Sequence, residues 1–127
     1  MRTAIVGAAS DRATAADVVR ELGGRATLID VVGQTDIPAL AGVLANCRAL
    51  MANDSGALHL AAALGINVTA AFGPTDERLS APRTPDPEPR TTILTHDTWC
   101  RPCGLRECPL DHACMAGISA EDARKTL

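Results

Sequence analysis

The seven residues Asn53-Asp54-Ser55-Gly56-Ala57-Leu58-His59 combine side-chain types that can handle an anion. They follow the apolar run Leu50-Met51-Ala52 and open a stretch with helical spacing up to Leu64. A helix N-terminus carries free N–H groups and the positive end of the helix dipole, so it attracts phosphate. Ser55 adds a hydroxyl, and Gly56, with no Cβ, lets an anion approach the backbone closely. His59 lies one helical turn on and faces the same end. Asp54 repels phosphate and suits hydroxyl groups or a backbone cap. The same pattern also fits a plain capped helix with a surface histidine, because Asp and Ser are common helix caps.

A second concentration of reactive groups is Cys100-x2-Cys103-x4-Cys108-x5-Cys114, with His112 inside it. Four thiols in fifteen residues could hold a structural Zn2+ or an iron–sulfur cluster. They could equally be free or reversibly paired thiols, or form disulfides, and the spacing matches no standard zinc ribbon. Cys47, on an apolar helix face, reads as core. Thr75-Asp76 could touch a ligand from the loop after a strand, although turn formation explains them as well. His96 and the charged residues of 76–90 read as solvated surface.

Short apolar runs alternate with helical stretches, the mark of a parallel α/β sheet. Strands are expected at Ala4–Val6, Thr27–Val31, Arg48–Ala52, Asn67–Phe72 and Thr91–Leu94. Helices are expected from Asp11 to Leu22, buried through Ala16, Val19 and Leu22, and after Thr35 or Asp36, buried through Leu40, Val43, Leu44 and Cys47. A third runs from Gly56 to about Leu64, and a last one starts at Ser119. The expected division is a β/α core over 1–80, a Pro-rich connection over 81–90, a strand and Cys-rich loop over 91–118, and a C-terminal helix over 119–127. In open sheets of this class, ligands sit beyond the carboxyl ends of the strands, where the Asn53 turn falls.

Composition narrows the function. The chain has 127 residues, 46% of them hydrophobic, which suits one folded domain. Aromatics make up 2% and the net charge is -3, so neither base stacking nor a basic footprint supports nucleic-acid binding. The core is expected to consist of Ala, Val, Leu and Ile. No apolar run approaches the roughly 18 residues of a membrane span, and a cytoplasmic location is expected.

Asn53-Asp54-Ser55-Gly56, His59-Leu60-Ala61-Ala62-Ala63-Leu64-Gly65 and Ala71-Phe72-Gly73-Pro74-Thr75-Asp76 together resemble the signature of glycosyltransferase family 9, the family of lipopolysaccharide heptosyltransferases. Val32-Gly33-Gln34-Thr35 with Leu40, Leu44 and Cys47 resembles the family's "G-x-T-s-l-x-e-l-a-a-l" stretch. Cys100-Arg101-Pro102-Cys103 through Cys114-Met115 resembles its C-terminal cysteine segment. The resemblance covers nearly the whole chain. It implies the donor-binding half of a GT-B enzyme, a Rossmann-like parallel sheet with flanking helices. It also implies a nucleotide-sugar partner of the ADP-heptose type and a lipopolysaccharide core acceptor held by a separate N-terminal domain. Asp54 would contact the transferred sugar, and Ser55, Gly56 and His59 the diphosphate. Thr75 would lie in the adjoining loop. Asp11, in Gly7-Ala8-Ala9-Ser10-Asp11-Arg12, matches an acidic position that reaches the ribose, although a capping role fits it as well. No metal is required where protein groups neutralise the diphosphate.

The sequence departs from the family where catalysis is concerned. The family's "G-A-x-x-x-x-K-x-W-P" segment and its N-terminal domain find no match, and no residue reads as a catalytic base. The expectation is a partial donor domain: a fragment, a gene remnant or half of a split protein, peripheral to the inner membrane in the full-length enzyme. A non-catalytic nucleotide- or phosphate-binding module and a metal-stapled structural domain remain as alternatives. Self-association through exposed surfaces is expected of a partial sheet.

Overall fold

The computed structural model describes residues 2–24, 27–84 and 91–126. They form two compact units, Met1–Gly42 and Val43–Leu127, each built of parallel strands and helices. The α/β Rossmann-like class expected from the sequence is what is found.

The first unit holds β1 (Thr3–Ile5), a single 3-10 turn (Ala9–Asp11), α1 (Arg12–Leu22), β2 (Leu28–Asp30) and most of α2 (Ile37–Ala45). β1 and β2 pair in parallel, with Thr3 opposite Leu28 and Ile5 opposite Asp30. The pairing continues past the strands, because Val31 N–H donates to the Ile5 carbonyl at 3.1 Å and Gly33 N–H to the Gly7 carbonyl at 2.8 Å. Gly33 has φ +65°, and a Cβ there would stand 2.8 Å from Ala9 Cα, so both conformation and space call for glycine. Asp36 starts α2, its Oδ1 accepting from Ala39 N–H at 2.8 Å, which settles the choice between Thr35 and Asp36. The stripe expected to bury α1 fares differently. Ala15 is its buried residue, Ala16 is exposed, Leu22 is half-buried and Val19 is exposed. Helical periodicity set the stripe, but a sheet of two three-residue strands has too little area to cover it.

The second unit is built on β3 (Ala49–Asn53), β4 (Asn67–Phe72) and β5 (Thr91–Thr95), parallel and in that spatial order. Asn53 lies opposite Ala71, and Phe72 opposite Thr95, so the strands end together. β4 is central, and Val68 through Phe72 are all buried, as expected of a parallel strand covered on both faces. α3 (Gly56–Ala63) buries Leu58, Ala61 and Ala62 and packs on β3 and β4. Alanines let helix and sheet approach closely. Phe72, the sole phenylalanine, is the largest fully buried side chain, so the core is not purely aliphatic. The buried Thr69 hydroxyl meets the Thr126 hydroxyl at 2.8 Å.

Three short helices complete this unit: α4 (Glu77–Ser80), α5 (Ala113–Ala116) and α6 (Ala120–Arg124). Ser119 caps α6 as the sequence suggests, its Oγ accepting from Asp122 N–H at 3.0 Å. The Pro-rich connection shows no regular structure over 81–84, and its residues 85–90 lie outside the described residues. Among the described residues, no helix is long and apolar enough to cross a membrane.

Candidate functional site

Because β3, β4 and β5 are parallel and end in register, the turns after them emerge at one sheet edge. Asn53–Gly56, Gly73–Asp76 and His96–Arg101 therefore share the edge where α/β sheets bind ligands.

Ser55 is the N-cap of α3, with extended backbone angles (φ −158°, ψ 164°), yet its side chain makes no capping hydrogen bond. Asp54 does not cap the helix either. Its Oδ2 accepts from Ser80 Oγ at 3.0 Å, and its Oδ1 stands 3.6 Å from His59 Nε2. The plain capped helix is thus not what forms. Helix N-termini leave several N–H groups without intrahelical partners, and here neither acidic nor hydroxyl side chain covers them. A Cβ built on Gly56 meets nothing within 4 Å, so packing does not dictate glycine there. The result is an uncapped helix N-terminus with open space above Gly56, an exposed Ser55 hydroxyl, a half-exposed imidazole and a largely covered carboxylate beside it.

The loop after β4 forms the neighbouring wall. Thr75 Oγ1 is buried without a hydrogen-bond partner, so this hydroxyl does not face solvent. Asp76 caps α4 through Arg78 N–H at 3.0 Å and holds the Arg78 guanidinium two-pronged, at 2.8 and 2.7 Å. The hydrogen bond from the Arg78 side chain keeps the Asp76 carboxyl below the usual carboxylate range, against a smaller opposing effect of burial. Arg101, whose side chain is 8% exposed, donates to the Gly73 carbonyl (2.7 Å), the Thr75 carbonyl (3.4 Å) and Glu77 Oε2 (2.7 Å). A cleft of about 200 Å³ lies beside these groups, lined by Asp76, Glu77, Arg78, Asp97 and Arg101 among others.

Asp11 lies in the first unit. Its Oδ2 accepts from Ala8 N–H at 2.8 Å and its Oδ1 from Ser10 Oγ at 3.3 Å, so it closes its own turn. The capping role is therefore occupied in the structure.

The cysteines do not come together as a metal centre. All five are free thiols. Among the described residues, no three of His, Cys, Asp and Glu stand close enough to hold a metal ion. The physical reasons are local. Cys108 Sγ accepts from Leu110 N–H and His112 N–H, each at 3.3 Å, and so organises its own turn. Cys114 is buried beside Gly73, whereas Cys103 is exposed. Sequence reasoning missed Ser80 and Arg101, since both act on residues more than twenty positions away.

A family model, glycosyltransferase family 9 (heptosyltransferase), matches residues 1–114. The chain belongs to glycosyltransferase family 9. Among its relatives is lipooligosaccharide heptosyltransferase 2 of Campylobacter jejuni subsp. jejuni serotype O:2, 33% identical over 94 residues, 72% of this chain and 28% of that protein. The enzyme of the same name from Haemophilus ducreyi is 41% identical over 56 residues, 42% of this family 9 chain and 16% of that one. The fold resembles that of a glycosyltransferase family 9 protein of Veillonella parvula DSM 2008, with a TM-score of 0.75 and 22% identity over 98% of this chain and 35% of the other. It also resembles E. coli ADP-heptose lps heptosyltransferase II, with a TM-score of 0.67 and 24% identity over 75% of this chain and 28% of that one. The chain thus spans little more than a quarter of the length of the Campylobacter relative.

Proposed function

We propose that this family 9 chain is the donor-binding part of a heptosyltransferase-like enzyme, taking a nucleotide sugar of the ADP-heptose type. The observation that carries the reading is the N-terminus of α3, left uncapped by Asp54 and Ser55, open above Gly56 and placed at the carboxyl edge of the sheet. Its N–H groups, the Ser55 hydroxyl and His59 suit a diphosphate. Transfer from a nucleotide sugar builds negative charge on the departing diphosphate, and a positioned helix terminus and imidazole stabilise that charge without a metal. Asp54, steadied by Ser80, suits hydroxyls of the transferred sugar. Thr75 lines the adjoining wall through its loop. Asp11 keeps a ribose assignment from the family resemblance alone.

Transfer also needs a carboxylate to deprotonate the acceptor and a surface to hold it in line. These, with the lipopolysaccharide core acceptor, belong to the rest of a full-length enzyme working on the cytoplasmic side. Coexpression with the N-terminal half of a family 9 enzyme separates this reading from a non-catalytic nucleotide-binding module, since only the former restores transfer.

Calorimetry tests the site directly. The chain should bind ADP and ADP-heptose, and Gly56→Val should weaken both at least tenfold, because a branched side chain fills the space an anion needs. A Cβ at position 56 meets nothing within 4 Å beyond its own helix and chain neighbours, and an unchanged thermal midpoint of the variant separates lost binding from misfolding. Absence of binding by the parent chain, or equal binding by the variant, would sink the proposal.

A further inference from the structure

Arg101 lies between two cysteines of the C-terminal segment, yet it binds none of them. Its side chain, 8% exposed, gives Nε and Nη2 to the loop after β4 and the start of α4, while Nη1 stands 3.8 Å from Asp97 Oδ1. Nε donates to the Gly73 carbonyl at 2.7 Å, and Nη2 to Glu77 Oε2 at 2.7 Å and the Thr75 carbonyl at 3.4 Å. Gly104 N–H donates to the Pro74 carbonyl at 2.8 Å. Three consecutive carbonyls are thereby turned toward residues 101–104. A buried charge is costly, and simple packing would be served as well by an apolar side chain. What the planar fork adds is direction, because its donors are fixed relative to one another.

The loop leads straight into α4, and α4 carries Ser80. The Ser80 hydroxyl has two acceptors in reach, Asp54 Oδ2 at 3.0 Å and the Asp76 carbonyl at 3.1 Å. It has one hydrogen to give. Serine in a helix readily bonds back to the carbonyl four residues earlier, so Asp54 keeps its donor only while α4 is held close. If α4 drifts, Ser80 retains Asp76 and releases Asp54, which then has His59 as its remaining neighbour.

We propose that Arg101 is a positioning residue for the donor site, acting through the Gly73–Glu77 loop and Ser80 to aim the Asp54 carboxylate. This rests on the reading that Asp54 meets the donor's sugar. The sugar contact should then depend on Arg101, and the diphosphate contact, which uses α3, should not.

Calorimetry on the 127-residue chain with ADP and ADP-heptose reads the two contacts separately. The variants are Arg101→Lys, which keeps the charge and loses the fork, Ser80→Ala and the pair. Each single variant should lower affinity for ADP-heptose about tenfold, the scale of one hydrogen bond to a charged group. ADP should change less than twofold. The double variant should be no weaker than the weaker single one, since both act on one path. A purely structural role predicts equal losses for both ligands, and that outcome overturns the proposal. So does an unchanged ratio in Ser80→Ala, which tests the path even if Arg101→Lys folds poorly. A parent chain binding ADP-heptose no tighter than ADP would instead overturn the assignment of Asp54 to the sugar.

Discussion

Replacing Gly73 by alanine places a methyl carbon 2.6 Å from Met115 Sδ, 2.7 Å from Met115 Cγ and 3.5 Å from Cys114 Sγ. Favourable carbon contacts lie near 3.5–4.0 Å, so the overlap with Met115 is about 1 Å. Methionine is flexible, but clearing Cγ requires a different χ1 rotamer in a half-buried site or a shift of α5. That helix is a single turn held by the bonds of Met115 N–H and Ala116 N–H to the His112 carbonyl. Overpacking of this kind costs about 1–3 kcal/mol. For a chain of this size the midpoint of thermal unfolding should fall by roughly 3–15 °C. The assay is a double-mutant cycle by thermal or urea unfolding of Gly73→Ala, Met115→Ala and the pair. Removing the thioether makes room for the new methyl, so the pair should be more stable than the sum of the single effects by about 1–2 kcal/mol. A Gly73→Ala midpoint within a degree of the parent refutes the argument, and so does strict additivity.

Two further outcomes follow from the same region. Arg78 holds the Asp76 carboxyl below its ordinary range in the folded chain, so its contribution is fully present above the ordinary carboxylate range and is lost as pH falls through the lowered folded value. A carboxyl titration by NMR should place Asp76 below an unfolded carboxylate, and a midpoint at or above the ordinary value would contradict the pairing with Arg78. The cysteine geometry is tested by reactivity and metal content. The exposed Cys103 should react with a thiol reagent before the buried Cys114, and the purified chain should carry less than about one metal ion. Stoichiometric zinc with all four clustered thiols protected would show that they gather after all.

How far the sequence announced this structure depends on the range of the interaction. β4 matches its expected bounds because burial on both faces gives a run that is apolar from Val68 to Phe72 but for Thr69, with Gly65 and Gly73 outside its ends. Most other strands and helices fall within a residue or two, where end definitions differ anyway. α4 and α5 were missed because one turn leaves no periodicity to read. The Asn53–His59 segment was legible as a strand-to-helix turn at the carboxyl end of β3, but not the use made of Asp54. Spacing alone offered it to hydroxyl groups or as a cap, and the structure gives it to the hydroxyl of Ser80, which is 26 residues away. Arg101 was invisible for the same reason, since its nearest loop partner is Gly73, 28 residues earlier.

The cysteine segment acquires its meaning from these long contacts rather than from its thiols. Arg101 and Gly104 take the carbonyls of Gly73, Pro74 and Thr75 from one end of the segment. Cys114 and Met115 press on Gly73 from the other. A loop held at both ends gives up little further conformational entropy when a ligand binds beside it, and that lowers the cost of binding. On this view the apolar Cys114 matters as a small buried side chain and Gly73 as the absence of one. The proposed donor site would then depend on backbone hydrogen bonds and packing, with the thiols of Cys100, Cys103 and Cys108 secondary to the position of Arg101 among them.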